Sequence, residues 1–249
     1  MRKRRGLYNK WAKTIVLNQK ASIRSHVPHT LLFSESSLKS MLRLYQMVYV
    51  KPNRGSHGVG VMRVEYRNGT YSYQLGAKRR RNLTWAQLVA SLTYKIQGAK
   101  YIIQRGIHLS RFKNRIYDLR VELQLNEYGR WQITGMLARV AQQGMAVTNG
   151  AQGAEIYTFS SVIASHGGAE LVRRVTSQLN SLCIESAHML KAKYPFLNEL
   201  GFDIALDQQL HPWILEVNTT PEAIPFKKLP TRTMYNRILH LRKLNARRT

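Results

Sequence analysis

Two short stretches, Phe202–Leu206 and Trp213–Val217, read as adjacent strands, and each apolar run contains one carboxylate, Asp203 or Glu216. A carboxylate inside an apolar strand costs desolvation energy unless something positive compensates it. Strand side chains alternate with period two, so Glu216 and Asn218 share one face. Asp203 lies on the preceding strand, close enough to pair with that one. A divalent cation is one such compensator, and Asp, Glu and Asn together offer the hard oxygens that suit Mg²⁺ beside phosphates. The plain alternative is a polar surface face. The chain has 39 Lys and Arg against 13 Asp and Glu, and Asp203, Asp207, Glu216 and Glu222 crowd into one short segment.

The remaining charge is one-sided. Residues 1–34, 66–117 and 223–249 carry many bases and no acid, for a net charge of +26. Such a surface attracts polyanions. No DNA- or RNA-binding module is recognisable and the aromatics sit at core-like spacings, so a specific nucleic-acid partner is not expected. The runs Arg2–Arg5 and Lys78–Arg81 read as exposed ends and loops. Hydrophobic residues make up 44%, enough for a packed core. No apolar run of about 18 residues offers a transmembrane segment. Asn9, Lys10 and Lys13 interrupt what would be the apolar part of a secretory signal. A lone cysteine, Cys183, excludes an internal disulfide and a cysteine-cluster zinc site. A cytoplasmic, reducing location is expected.

Ser34 can cap a helix with Leu38, Met41, Leu42 and Tyr45 on one face, followed by a strand, Met47–Pro52. A glycine-rich turn leads to a second strand, Val61–Tyr66, and Asn68-Gly69 predicts a tight hairpin to Tyr71–Leu75. Thr84 can cap the next helix, and Tyr101–Gln104 reads as a strand. Leu119–Leu125 and Trp131–Val140 pair around Glu127-Tyr128-Gly129. Gly167-Gly168 precede a long helix over 169–192, and a basic helix follows Pro230. This order indicates an α+β protein with two lobes rather than a doubly wound parallel sheet. The expected divisions are an N-terminal helical segment (1–45), a small lobe with the glycine-rich loop (46–108), a large lobe with the metal site (109–225) and a basic C-terminal helix (226–249).

Lys51 closes its strand just before Gly55-Ser56-His57-Gly58-Val59-Gly60. Glycines let backbone N–H groups approach an anion, and the lysine adds charge. The spacing is not that of a P-loop, and a plain hairpin loop is the mundane account. Arg120 and Arg139 lie in strand patterns, where a solvent face is the dull reading, and Asn149 follows in a glycine-rich loop. Together these groups describe a nucleotide site: a glycine loop over phosphates, carboxylates holding Mg²⁺, and arginines neutralising transferred charge.

Lys51-Pro52, the glycine loop, Asp118-Leu119-Arg120, Arg139 through Asn149, Gly201-Phe202-Asp203 and Glu216-Val217-Asn218 occur in the order that resembles the ATP-grasp fold. Tyr49-Val50-Lys51-Pro52, Tyr101 through Ile107 and Trp213 through Asn218 look most like YheC/YheD-type, endospore coat-associated proteins, and the Arg139–Asn149 loop is also similar to RimK-type glutamate ligases. The resemblance implies an ATP-grasp fold lacking most of the usual preceding α/β domain. It implies Lys51 and Gly55, Ser56, His57, Gly58 and Gly60 on the phosphates, and Gln104, Arg105, Gly106 and Ile107 as a hinge meeting adenine mostly through backbone groups. Lys10, with Lys13 as competitor, would reach ATP from the N-terminal side. Arg120, Arg139 and Asn149 would act on transferred phosphate and acceptor, and Asp203, Glu216 and Asn218 on one or two Mg²⁺, with Mn²⁺ an alternative. The implied activity is an ATP-dependent carboxylate–amine ligase working through an acyl-phosphate, its acceptor an acidic peptide or a spore-coat component. The other reading is a spore-associated structural or binding protein that retains the fold.

Overall fold

The small sheet is built from hairpins whose turns the sequence dictates. The computed structural model describes residues 9–55, 58–145 and 153–247. After helices α1 (Lys10–Leu17) and α2 (Ala21–Arg24) come strand β1 (Thr30–Leu32), helix α3 (Glu35–Tyr45) and strands β2 (Met47–Pro52), β3 (Met62–Arg67), β4 (Thr70–Leu75) and β5 (Lys78–Leu83). Asn68 and Gly69 take φ of 49° and 77° and join β3 to β4 in the turn that suits strand twist. Helix α4 (Trp85–Ile96) carries a full capping box, Thr84 with Gln87, and β6 (Tyr101–Arg105) returns to the sheet. The order is β1-β6-β2-β3-β4-β5 with every neighbour antiparallel, and Leu38, Met41, Leu88 and Leu92 of α3 and α4 pack on its inner face.

The second sheet holds the long strands. It comprises β7 (Arg111–Phe112), β8 (Arg115–Leu125), β9 (Trp131–Val140), β10 (Glu155–Thr158), β11 (Glu199–Leu206) and β12 (Pro212–Asn218), with main order β10-β9-β8-β11-β12. Along β8, Leu119, Val121, Leu123 and Leu125 face helix α5 (Phe159–Lys193) and α1 in the main core, where Cys183 is also buried. The intervening Asp118, Arg120, Glu122 and Gln124 face the other way and are buried too. Short helix α6 (Ile224–Lys227) and the basic helix α7 (Thr233–Ala246) cover the far half of that polar face, packing Phe226 and Ile238 against Leu137.

Two features depart from expectation, the Lys78–Arg81 run and the missed strand β1. Lys78–Arg81 form edge strand β5 rather than a loop: pairing with β4 satisfies their backbone while the charged side chains stay in water. The expected helix over 169–192 does follow Gly167 and Gly168, which leave helical φ/ψ, and a shorter helical stretch that starts at Phe159 and is capped by Thr158 precedes them. β1, which sequence patterning misses, is only three residues long and is held by β6. None of the helices among the described residues is long and apolar enough to cross a membrane.

Gly135 on β9 leaves the space that Phe226 fills: a Cβ there would meet the ring at 2.5 Å. Gly135→Ala is expected to lower the melting temperature by about 2–10 °C, the usual cost of overpacking in a chain this size. Adding Phe226→Leu should recover part of the loss in the same thermal scan. An unchanged melting temperature for Gly135→Ala would show that this contact is loose.

Candidate functional site

Register places five charges on neighbouring strands. Asp118 of β8 lies opposite Arg139 of β9, Arg120 of β8 opposite Asp203 of β11, and Asp203 opposite Glu216 of β12. The Arg139 guanidinium grips Asp118 with Nε at 2.8 Å and Nη2 at 2.6 Å, and the same Nη2 reaches Asp203 at 3.1 Å. Arg120 Nε donates to Asp203 Oδ1 at 2.7 Å. Burial alone would raise the Asp203 carboxyl, but Arg120 and Arg139 outweigh it and hold the pKa down at about 2. For Arg139, burial disfavours the charge, and the facing Asp118 and Asp203 more than restore it. The sheet thus holds an ionised, rigid ladder of alternating charge.

The ladder is one wall of a cleft between the sheets, open to solvent. The opposite wall comes from β2. Lys51 points in from its end, donates Nζ to Gln104 Oε1 at 2.6 Å, and lies over the Tyr49 ring. Burial lowers its pKa to about 8, against the pull of Glu216. Lys10 enters from α1. Its helix is capped by Asn9 and tied to the small sheet by Lys10 N–H and Trp11 N–H, both bonded to Asn53. The Lys10 ammonium therefore donates to Gly55 O at 2.8 Å and pairs with Glu216 at 3.2 Å. Lys13, one turn on, points elsewhere and bonds Val217 O, and burial brings its pKa to about 8 as well.

Val61, Ile107, Leu109 and Leu215 give the cleft an apolar side, suited to a flat aromatic group. Arg105, at the end of β6, lies over the rings of Tyr45 and Trp213, 5.2 and 5.0 Å from their centres. Gly60, with φ 73°, passes so close to Tyr101 that a Cβ would lie 2.8 Å from its hydroxyl.

Of the residues picked from the sequence, Lys10, Lys51, Gly55, Gly58, Arg105, Ile107, Arg139, Asp203 and Glu216 line this cleft. Arg120 and Gln104 stand behind the wall and hold Asp203 and Lys51. Gly106 gives its N–H to Met47 O, and Asn218 lies two pairs beyond Glu216, opposite Gly201. Ser56, His57 and Asn149 lie outside the described residues. Sequence reading gave no role to Asp118, two residues before Arg120 on the same face, nor to Tyr49, two before Lys51. Strand alternation could have found both; nothing local marks Leu109 or Leu215.

The donor chemistry fits magnesium. Among the described residues, no group of three or more His, Cys, Asp or Glu could hold a metal by itself. Asp203 and Glu216, facing one another, provide two carboxylates, and Mg²⁺ needs only one or two when waters and phosphates complete its shell.

The model of the YheC/D-like ATP-grasp family matches residues 3–243. The chain is 25% identical to endospore coat-associated protein YheD of Bacillus subtilis (strain 168) over 86% of its length and 48% of YheD. It is 26% identical to endospore coat-associated protein YheC of the same organism over 87% of its length and 61% of YheC. It therefore spans about half to three-fifths of these relatives. Among solved structures, D-alanyl-alanine synthetase A from Vibrio cholerae O1 biovar eltor str. N16961 matches 95% of this chain and 60% of that one, at a TM-score of 0.56 and 14% identity, a likeness of fold.

Lys13 and Lys51 are each expected to titrate near pH 8, well below ordinary lysines. NMR of the ¹³C-methylated protein should show two such signals, one lost in Lys51→Met and one in Lys13→Met. The unfolded chain keeps these protons up to about pH 10.4. Between the two values it binds more protons than the fold, so both lysines make stability rise with pH from about 8 to 10. Ordinary titration of both would refute the burial argument.

Proposed function

The chain belongs to the YheC/D-like ATP-grasp family, and from that premise we propose that its cleft binds Mg²⁺·ATP and joins a carboxylate to an amine. The observation that carries this reading is the meeting in one cleft of Lys10 and Lys51 with the arginine-braced Asp203 and with Glu216. The two lysines would take the phosphates, with Gly55 and Gly58 leaving their backbone accessible. The apolar side at Ile107, Leu109 and Leu215 would take the base. Asp203 and Glu216, with Asn218, would hold one or two Mg²⁺, which supplies electrostatic stabilisation of transferred phosphate. Arg139, fixed by Asp118, would face the phosphoryl group and Arg120 would keep Asp203 aligned. In the ligase reading the substrate carboxylate oxygen takes the γ-phosphoryl group and ADP leaves. An amine then attacks the acyl carbon, phosphate departs and an amide results. No side-chain nucleophile is needed, and buried Cys183 is not one.

We further propose residues 46–108 and 109–225 as the two working lobes, and a spore location, because both curated relatives are named for the endospore coat. A second reading is binding without turnover. It is favoured by the ion pairs that already occupy Asp203 and Glu216.

Calorimetry with Mg²⁺·ATP tests the common part. Micromolar binding is expected, weakened about tenfold or more by Lys51→Ala and by Glu216→Gln, since each removes a charged partner. ADP release that depends on added carboxylate and amine selects the ligase, and ATP binding without it selects the second reading. No ATP binding by the parent would overturn both.

A further inference from the structure

The polar face of the small sheet continues past the cleft. Tyr49 of β2 lies opposite Arg63 of β3, Arg63 opposite Gln74 of β4, and Gln74 opposite Arg79 of β5. This row starts on the cleft wall at Tyr49 and ends at Arg79, and within it Gln74 Nε2 donates to Gly144 O, at 3.1 Å, in the segment after β9. Beside it, one buried carboxylate holds three arginines. Glu65 accepts Arg63 Nη2 at 2.8 Å and Arg79 Nη2 at 2.9 Å, and pairs with Arg67 Nη2 at 3.3 Å. Three guanidinium charges against one carboxylate leave a surplus of two. The next 52 residues of sequence, 66–117, offer no acid to offset it. Arg63 Nε is buried with no hydrogen-bond partner, while Arg67 and Arg79 remain 69% and 39% exposed.

Edge-strand bases often serve only to keep other strands away, and Lys78 and Arg80, on the opposite face of β5, have that look. The Glu65 cluster differs. Arg63 and Arg79 are hydrogen-bonded to one carboxylate, which limits the side-chain freedom they have left to lose, and Arg67 pairs with the same group while most of its surface stays open. Such a fixed fork suits a carboxylate.

We infer that Arg63, Arg67 and Arg79, held by Glu65, form an anchoring site for the carboxylates of an acidic peptide whose reacting end lies in the adjacent cleft. The peptide's role as substrate rests on the ligase reading; its binding site does not. Glu65 is a positioning residue, and the exposed Arg67 and Arg79 make the contacts.

The test is fluorescence anisotropy with a labelled hexaglutamate peptide at about 0.15 M ionic strength, where loose attraction is screened. Arg67→Gln with Arg79→Gln is expected to weaken binding at least about tenfold, and Arg67→Gln alone by a smaller factor in the same direction. Lys78→Gln with Arg80→Gln removes equal charge from the other face and should change binding less than about twofold. Hexaglutamine should not bind. Equal losses in the two double variants would mean diffuse attraction and overturn the site, as would no loss in either. Displacement of the peptide by inorganic triphosphate would also overturn it, by making this a phosphate site. ATP binding by the parent, measured separately, reports on the ligase reading. Peptide binding that follows the arginines in a protein that binds no ATP leaves the anchoring site standing and removes the ligase.

Discussion

Four charged side chains on three adjacent strands, Asp118, Arg139, Asp203 and Arg120, cannot be buried unless each meets its opposite, and that condition sets the register of the large sheet. A slip of one residue in β8 would carry Asp118 and Arg120 into the apolar core beneath α5 and bring Leu119 and Val121 to the cleft. The core and the ladder therefore demand the same pairing. Breaking one member would leave an uncompensated buried charge, which is far costlier than the intact pair is stabilising.

The same polar row explains why α6 and α7 belong to the fold. Asp118 lines the cleft and Arg120 stands behind its wall, but Glu122 and Gln124 continue past it and must be covered. Helix α7 does so: Gln124 Nε2 donates to Ile238 O, Asn245 Nδ2 to Leu125 O, and Arg242 holds Glu199 and lies 3.7 Å from Glu122. Burial first, and Glu199 second, push the Glu122 carboxyl well above its ordinary range. The scarcity of acids gains a local meaning. Glu65, Asp118, Asp203, Glu216 and Glu199 each hold a base in a set position.

Local signals carried much of the fold. Asn68-Gly69, the Thr84 box, the Ser34 cap and the alternation of β8 and β9 each act within a few residues, and each produced the element expected. β5 was illegible because four consecutive bases have low strand propensity and no apolar alternation; pairing with β4 stabilises them. Lys10 and Lys13 could not be separated by type or spacing. Only the docking of α1 on Asn53 and on the core around α5 turns one into the cleft and the other toward Val217.

By itself the sequence determined an α+β chain, a strand-closing lysine before a glycine turn, and carboxylates that needed cationic neighbours, because periodicity, turn chemistry and desolvation act locally. Tertiary structure decided which arginine meets which acid, that Gln104 serves Lys51, that Leu109 and Leu215 form an apolar wall, and that Glu65 gathers three arginines beside the cleft. Those outcomes depend on the register between strands far apart in the chain and on how the two sheets face each other, and no short window of residues encodes either.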